Sequence, residues 1–289
     1  MDQQLKGTCF SALAAIIYGL IPVFSLGIYG NGGDVFSVVC IRSLIAAVIH
    51  GSLVKRRGGS LAVSKKDLLC LVLAAVFGIT CTDFFLGLSY NYISGGLATT
   101  LHFIYPAACV ITEAVFFKEK VTNKTVGALV CVISGVVLFS WKSAHVEFLG
   151  VCLALISGLC YTFYLVMMAR SRLKELDVHT VIFYICCIEA ILCGVPAVKT
   201  QSFHMNVQGW MLAILLSILV NVLAASLFQL GIRLVGLSTA SVLSTLEPLT
   251  SVVAGILVLH DTLGIAELCG CIMVCVGIAV LVCHKKQFE

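Results

Sequence analysis

The chain has 289 residues, of which 60% are hydrophobic and 11% charged, with a mean hydropathy of +1.10. A soluble domain carries about 25% charged residues, so this chain cannot build a water-facing surface and must sit in a lipid bilayer. The net charge of +4 is spread over short basic clusters rather than one stripe, which argues against a nucleic-acid partner.

A helix crosses the hydrocarbon core with roughly 20 apolar residues, and runs of that length recur along the whole chain. They predict ten spans, near 7–29, 35–54, 67–91, 95–117, 124–141, 147–169, 178–199, 208–232, 237–259 and 264–283. Strand periodicity is absent, and unpaired backbone is not tolerated in lipid, so the spans are helices. The first run follows a short head with Lys6 and is long enough to span, with no small-residue cleavage site after it. Fifteen cysteines are present. Many, such as Cys40, Cys81, Cys160, Cys186 and Cys271, lie inside apolar runs, and none forms zinc-type spacing. They read as small hydrophobes with free thiols, and no metal or cofactor is expected.

Lysine and arginine orient the spans. With the N-terminus inside, the cytoplasmic segments collect Lys6, the 55–66 cluster, Lys118, Lys120, Lys124, Arg170, Arg172, Lys174, Arg233, Lys285 and Lys286. The opposite side holds only Lys142 and Lys199, and Arg42 lies within a span. Both termini are therefore expected in the cytoplasm.

The chain also matches itself at offsets of about 142–143 residues. Ala98, Leu101, Pro106, Val110, Val132 and Gly135 fall on Ala240, Leu243, Pro248, Val252, Val274 and Gly277, while Gly7, Tyr18 and Asp34 fall on Gly150, Tyr161 and Asp177. Five helices per unit is an odd number, so the second copy must lie upside down. The charges agree, because the basic 55–66 loop has a counterpart near 199–208 with one lysine, and 31–34 has no basic residue while its counterpart at 170–177 has three. Residues 1–143 and 144–289 are thus expected to be two inverted five-helix repeats forming one transport domain. Such repeats place a substrate site near the bilayer midplane between the halves.

The stretches ATTLHFIYPA…FFKEKVTNKTVGALVCVISGVVLFSW (Ala98–Trp141) and ASVLSTLEPL…LVLHDTLGIAELCGCIMVCVGIAVLVC (Ala240–Cys283) each carry a proline-bearing helix, an acidic turn and a glycine-bearing last helix. In this the chain resembles the drug/metabolite transporter superfamily, specifically its tandem EamA-type exporters. Arg42, in CIRSLIAA, resembles the arginine often found there. His260–Asp261 departs from the family's usual turn. The resemblance implies a secondary transporter exporting metabolites, amino acids or drugs.

Ionisable residues inside a span cost about 2.5–3.5 kcal/mol and usually face a partner or a wet cavity. At about 1.5 Å per residue, Arg42, Asp83 and His102 come to similar depths and are close enough to meet. Arg42 and Asp83 are either a structural ion pair or a polar floor for substrate or proton. Near the midplane lie Tyr18, Tyr161, Tyr164, Asn221 and Glu247. Glu247 precedes Pro248 as Tyr105 precedes Pro106, and each proline frees the carbonyl four residues earlier, at Ser244 and His102. The two kinks mark the fourth and ninth spans as cavity walls, with Glu247 a site for a substrate amine or a coupling proton. His102, Tyr105, Pro106, Cys109 and Glu113 share one helical face. Glu113 reads as a snorkelling or capping group, Glu189 as either a packing hydrogen-bonder or a cavity residue, and His50 as interfacial. Gly127, Cys131 and Gly135 have small-xxx-small spacing for close helix packing.

The leading expectation is a secondary transporter in the plasma membrane, working as a monomer by alternating access on a small molecule. It has no nucleotide-binding loop. A non-transporting receptor or scaffold is the alternative, followed by an intramembrane enzyme, for which no nucleophile, acid–base pair or H-E-x-x-H set is evident.

Overall fold

In the computed structural model, the described residues are 3–118, 147–228, 246–261 and 264–285, with isolated positions between these stretches. The first four predicted spans correspond to α1 (Gln3–Tyr29), α2 (Val35–Arg56), α3 (Lys65–Ser89) and α4 (Gly95–Phe117). The sixth to tenth correspond to α5 (Phe148–Arg170), α6 (Val178–Lys199), α7 (Val207–Phe228), α8 (Leu246–Leu259) and α9 (Ile265–Lys285). Seven of these, α1 to α7, are long and apolar enough to cross a membrane among the described residues. Most of the predicted span 124–141, the first part of 237–259, and the residues Glu119, Lys120, Lys124, Lys142, Arg233 and Lys286 lie outside the described residues, as do the side chains of Pro106, Glu113 and Lys285.

The helix starts follow from short polar side chains that accept the first free backbone N–H groups. Asp34 caps α2 by accepting from Ser37 N at 2.9 Å, and Asp177 caps α6 by accepting from Thr180 N at 3.1 Å. Ser64 and Asn206 cap α3 and α7 in the same way. Each pair is separated by 142 or 143 residues, so the caps recur with the sequence offset. A second feature recurs at that spacing. Within α3 the segment Ala74–Thr80 is wound as π-helix, and so is Ser217–Ala224 within α7. Such bulges widen one turn and free backbone groups, and they are frequent at functional sites.

The proline helices are broken just before their prolines. In α4 the helix stops at His102, turns through Phe103 and Ile104, and resumes at Tyr105. At the start of α8, Ser244 is in a turn and the helix resumes at Leu246. The single continuous face expected for His102, Tyr105, Pro106, Cys109 and Glu113 is therefore interrupted. The cause is the proline ring, which cannot sit over the carbonyl four residues earlier.

Packing pairs the counterparts. Along α2, Cys40 lies against Ala190, Ser43 against Glu189 and Gly51 against Phe183 of α6, so the two helices run antiparallel. The same holds for α4 and α8, where Gly95 meets Ser251 and Tyr105 meets Ser244. Glycine permits these approaches. A Cβ on Gly96 would lie 2.8 Å from the Val252 Cα, and one on Gly158 would lie 2.6 Å from the freed His102 carbonyl oxygen. The small-residue stripe expected at 127–135 behaves similarly at two of its three positions. Cys131 donates to the Met273 carbonyl at 3.3 Å and Gly135 abuts Gly270, whereas Gly127 faces open space. The fourteen described cysteines are free thiols.

Candidate functional site

Two polar regions lie among the apolar helices. In the first, Arg42 on α2 donates to the Asp83 carboxylate on α3. Arg42 is 6% exposed, and the pair lines a small open cleft together with Ser25, Tyr29, Leu86 and Tyr90. The Tyr29 hydroxyl donates to the Gly87 carbonyl at 3.1 Å, and Tyr90 shares a hydrogen bond with Thr99. Behind Arg42, Glu189 on α6 is 1% exposed and accepts from the Ser43 hydroxyl. Arg42 Nε and Glu189 Oε1 have no hydrogen-bond partner among the described residues, and the two side chains interact electrostatically. Arg42 is thus paired with Asp83 and lies within electrostatic reach of Glu189. Buried charges cost several kcal/mol unless paired, so the arrangement fixes Arg42 and leaves one acceptor available for a proton or a ligand donor.

The second region gathers the tyrosines. Tyr105 and Tyr161 are edge-to-face with centroids 4.8 Å apart, and Tyr161 stacks on Tyr164 at 5.8 Å. His102 is 5.6 Å from both Tyr105 and Tyr161, and its Nδ1 is hydrogen-bonded to Ser157 Oγ at 2.8 Å. Tyr18 on α1 meets Phe228 edge-on, and the neighbouring Gly19 abuts the Glu247 carbonyl. The charge of Glu247 reaches Tyr18, Tyr90, Tyr105 and Tyr161. Its carboxylate makes no hydrogen bond or ion pair among the described residues.

The structure therefore brings together Tyr18, His102, Tyr105, Tyr161, Tyr164 and Glu247, and separately Arg42 and Asp83. His102 does not join that ion pair, because the break after it turns its ring towards α5. Asn221 stands apart from the tyrosines. It sits in the π-helical segment of α7, where its carbonyl is 3.3 Å from His50 Nε2 and its Oδ1 has no partner among the described residues. His50 itself is a correction. Rather than lying at the interface it is 1% exposed, with its Nδ1 2.9 Å from that of His179. An imidazole with two partners on α6 and α7 has no need of water. Sequence reading missed Ser25, Tyr29 and Tyr90 as cleft residues, and Glu189 as a partner of the Arg42 region. The only signal for Glu189 was a carboxylate in an apolar run.

Comparison with known proteins adds the family. The profile of the EamA-like transporter family matches the chain twice, over residues 5–141 and 148–283. An uncharacterized transporter of Archaeoglobus fulgidus is 25% identical over 277 residues, spanning 95% of this chain and 95% of its own length. An uncharacterized transporter of Clostridium kluyveri is 21% identical over 296 residues, with 98% of this chain and 94% of its own covered. A solved structure titled "Crystal structure of protein" superposes with a TM-score of 0.67 at 14% identity, covering 97% of this chain and 98% of its own, and so shares the fold. With the family pattern matching once in each half and the two matches together covering nearly all of its length, this chain belongs to the EamA-like transporter family and is a multi-pass membrane transporter of small molecules.

Proposed function

We propose that the chain is a secondary transporter of two inverted five-helix halves, 1–143 and 144–289, that exports small metabolites, amino acids or drugs across the plasma membrane as a monomer. The observation that carries this reading is the antiparallel packing of counterpart helices, α2 on α6 and α4 on α8. The recurrence of caps and π-helical turns at the 142–143 offset supports it, as does the family pattern, which matches once in each half. In an inverted pair, rocking one half against the other exposes a shared midplane site alternately to each side. Lysine and arginine distribution favours cytoplasmic termini.

Arg42, Asp83, Tyr18, His102, Tyr105, Tyr161, Tyr164 and Glu247 line this site, and the breaks before Pro106 and Pro248 supply its hinges. Glu247 or Asp83 carries the coupling proton. In proteoliposomes, solute accumulation is expected to collapse when the pH gradient is dissipated. Glu247→Gln or Asp83→Asn should lower gradient-driven uptake at least tenfold while leaving gradient-free exchange measurable. Undiminished uptake in both variants, or without a gradient, would refute proton coupling.

A further inference from the structure

Residues of the first half meet residues of the second through polar groups at both ends of α2. That helix has 22 residues, so the two contacts lie about 33 Å apart along it. At its C-terminal end, Ser64 caps α3 and donates to Asp67 Oδ2 at 2.6 Å. Asp67 Oδ1 is left to accept from Arg172 Nε at 2.6 Å, in the short turn that follows α5. At the N-terminal end of α2, Asn206 caps α7 through its Oδ1, which accepts from Gly209 N at 2.9 Å. Its Nδ2 is left to donate to Asn31 Oδ1 at 2.7 Å, in the turn that follows α1.

The two contacts are built at corresponding positions. Ser64 and Asn206 are 142 residues apart, as are Asp67 and Gly209, and each contact completes itself on the turn after a counterpart helix, α5 or α1. The apolar residues before the caps correspond as well. Val63 packs on the cluster that holds Leu71 and Leu173, and Met205 belongs to the cluster that holds Ile28. Further bonds reinforce both ends, from Tyr184 to the Leu61 carbonyl at one and from Ser202 and Thr200 to Asp34 at the other. Their chemistry differs, however. Asp67 pairs with an exposed guanidinium, an attraction that dissolved salt screens. The Asn31–Asn206 contact joins neutral amides, which salt does not screen.

From this pseudo-symmetric pair we infer that Asp67–Arg172 and Asn31–Asn206 are opposing latches, each opening while the other stays shut, and that salt releases only the first. This assignment rests on the inverted-repeat reading, in which parting the halves at one end presses them together at the other. A latch has to break in every cycle, and an exposed ion pair or a single amide contact is weak enough to do so. Arg172, Asp67, Asn31 and Asn206 are thus positioning residues, which set the open end without touching solute.

Hydrogen–deuterium exchange of the full-length protein in lipid nanodiscs reads both ends in one experiment. Arg172→Gln removes the guanidinium, whereas Asn206→Asp keeps a capping oxygen for α7 and removes only the amide donor. Arg172→Gln is expected to speed exchange over 61–70 and 171–177 by about twofold to fivefold, and to slow it over 27–34 and 200–209. Asn206→Asp should do the reverse. Sodium chloride at about 1 M should act on the native protein as Arg172→Gln does, and add nothing in that variant. The melting temperature of each variant separates misfolding from an opened latch, and the salt response of the native protein keeps the test informative if a variant does not fold. Faster exchange at both ends would mean that these contacts merely hold the fold, and would overturn the assignment. So would unchanged exchange at the far end, or a salt response that persists in Arg172→Gln. Solute flux in proteoliposomes without the reciprocal response would leave transport standing and the latches refuted. A reciprocal response without any flux would do the opposite.

Discussion

Replacing Arg42 by methionine is expected to destabilise the protein by about 3–5 kcal/mol, the range measured when one partner of a buried ion pair is removed. Methionine keeps most of the volume, so the loss reports charge rather than packing. Asp83 and Glu189 would be left in a low-dielectric setting with no guanidinium between them. The double variant Arg42→Met, Asp83→Asn should recover a large part of the loss, and adding Glu189→Gln should recover more, because each step removes an uncompensated carboxylate. Unfolding in mixed detergent, followed by tryptophan fluorescence, reads the series. A single variant as stable as the native protein would mean that the carboxylates are neutral or hydrated without Arg42. Failure of the double variant to recover would mean that Arg42 acts by packing.

A second large effect, on transport more than on stability, is expected at the glycine contact between α4 and α8. Gly96→Leu places a Cβ 2.8 Å from the Val252 Cα, with the rest of the side chain driven into backbone that has no rotamer to change. Overpacking of this kind costs about 1–3 kcal/mol. Helix association in lipid depends on close packing rather than on hydrophobic exclusion, so the helices must separate, and Tyr105 should lose its bond to Ser244. Solute exchange in proteoliposomes should fall more steeply than stability, since the same contact joins the two broken helices. Native exchange rates in Gly96→Leu would show that α4 and α8 need not be in close contact during transport.

What the sequence made readable was the part governed by one-dimensional pattern. Among the described residues, the apolar runs located α1 to α7 to within a few residues, because bilayer thickness sets their length. The Arg42–Asp83 pair was readable from depth alone, since two opposite charges at one level attract. Depth does not give rotation about the helix axis, however. It could not bring Glu189 to Ser43, nor bury His50 against His179, because both depend on which face of α2 turns towards α6. The π-helical segments in α3 and α7 carry no proline, and a hydropathy pattern continues through them unchanged. Tyr29 and Tyr90 stand at the ends of spans, where aromatic residues ordinarily sit at the membrane interface, and nothing in their spacing marked them as cleft residues.

The central claim is that this chain moves solute through a site open to one side at a time. Counterflow tests it most directly. Proteoliposomes are preloaded with unlabelled solute and diluted into a trace of the same labelled solute, for amino acids, nucleobases, polyamines and phenyltrimethylammonium in turn. An alternating-access transporter should take up label transiently above its equilibrium level for at least one of these, and Glu247→Gln should change the size or pH dependence of that overshoot. Entry that never exceeds equilibrium, or uptake no greater than in protein-free liposomes across the whole panel, would contradict the account.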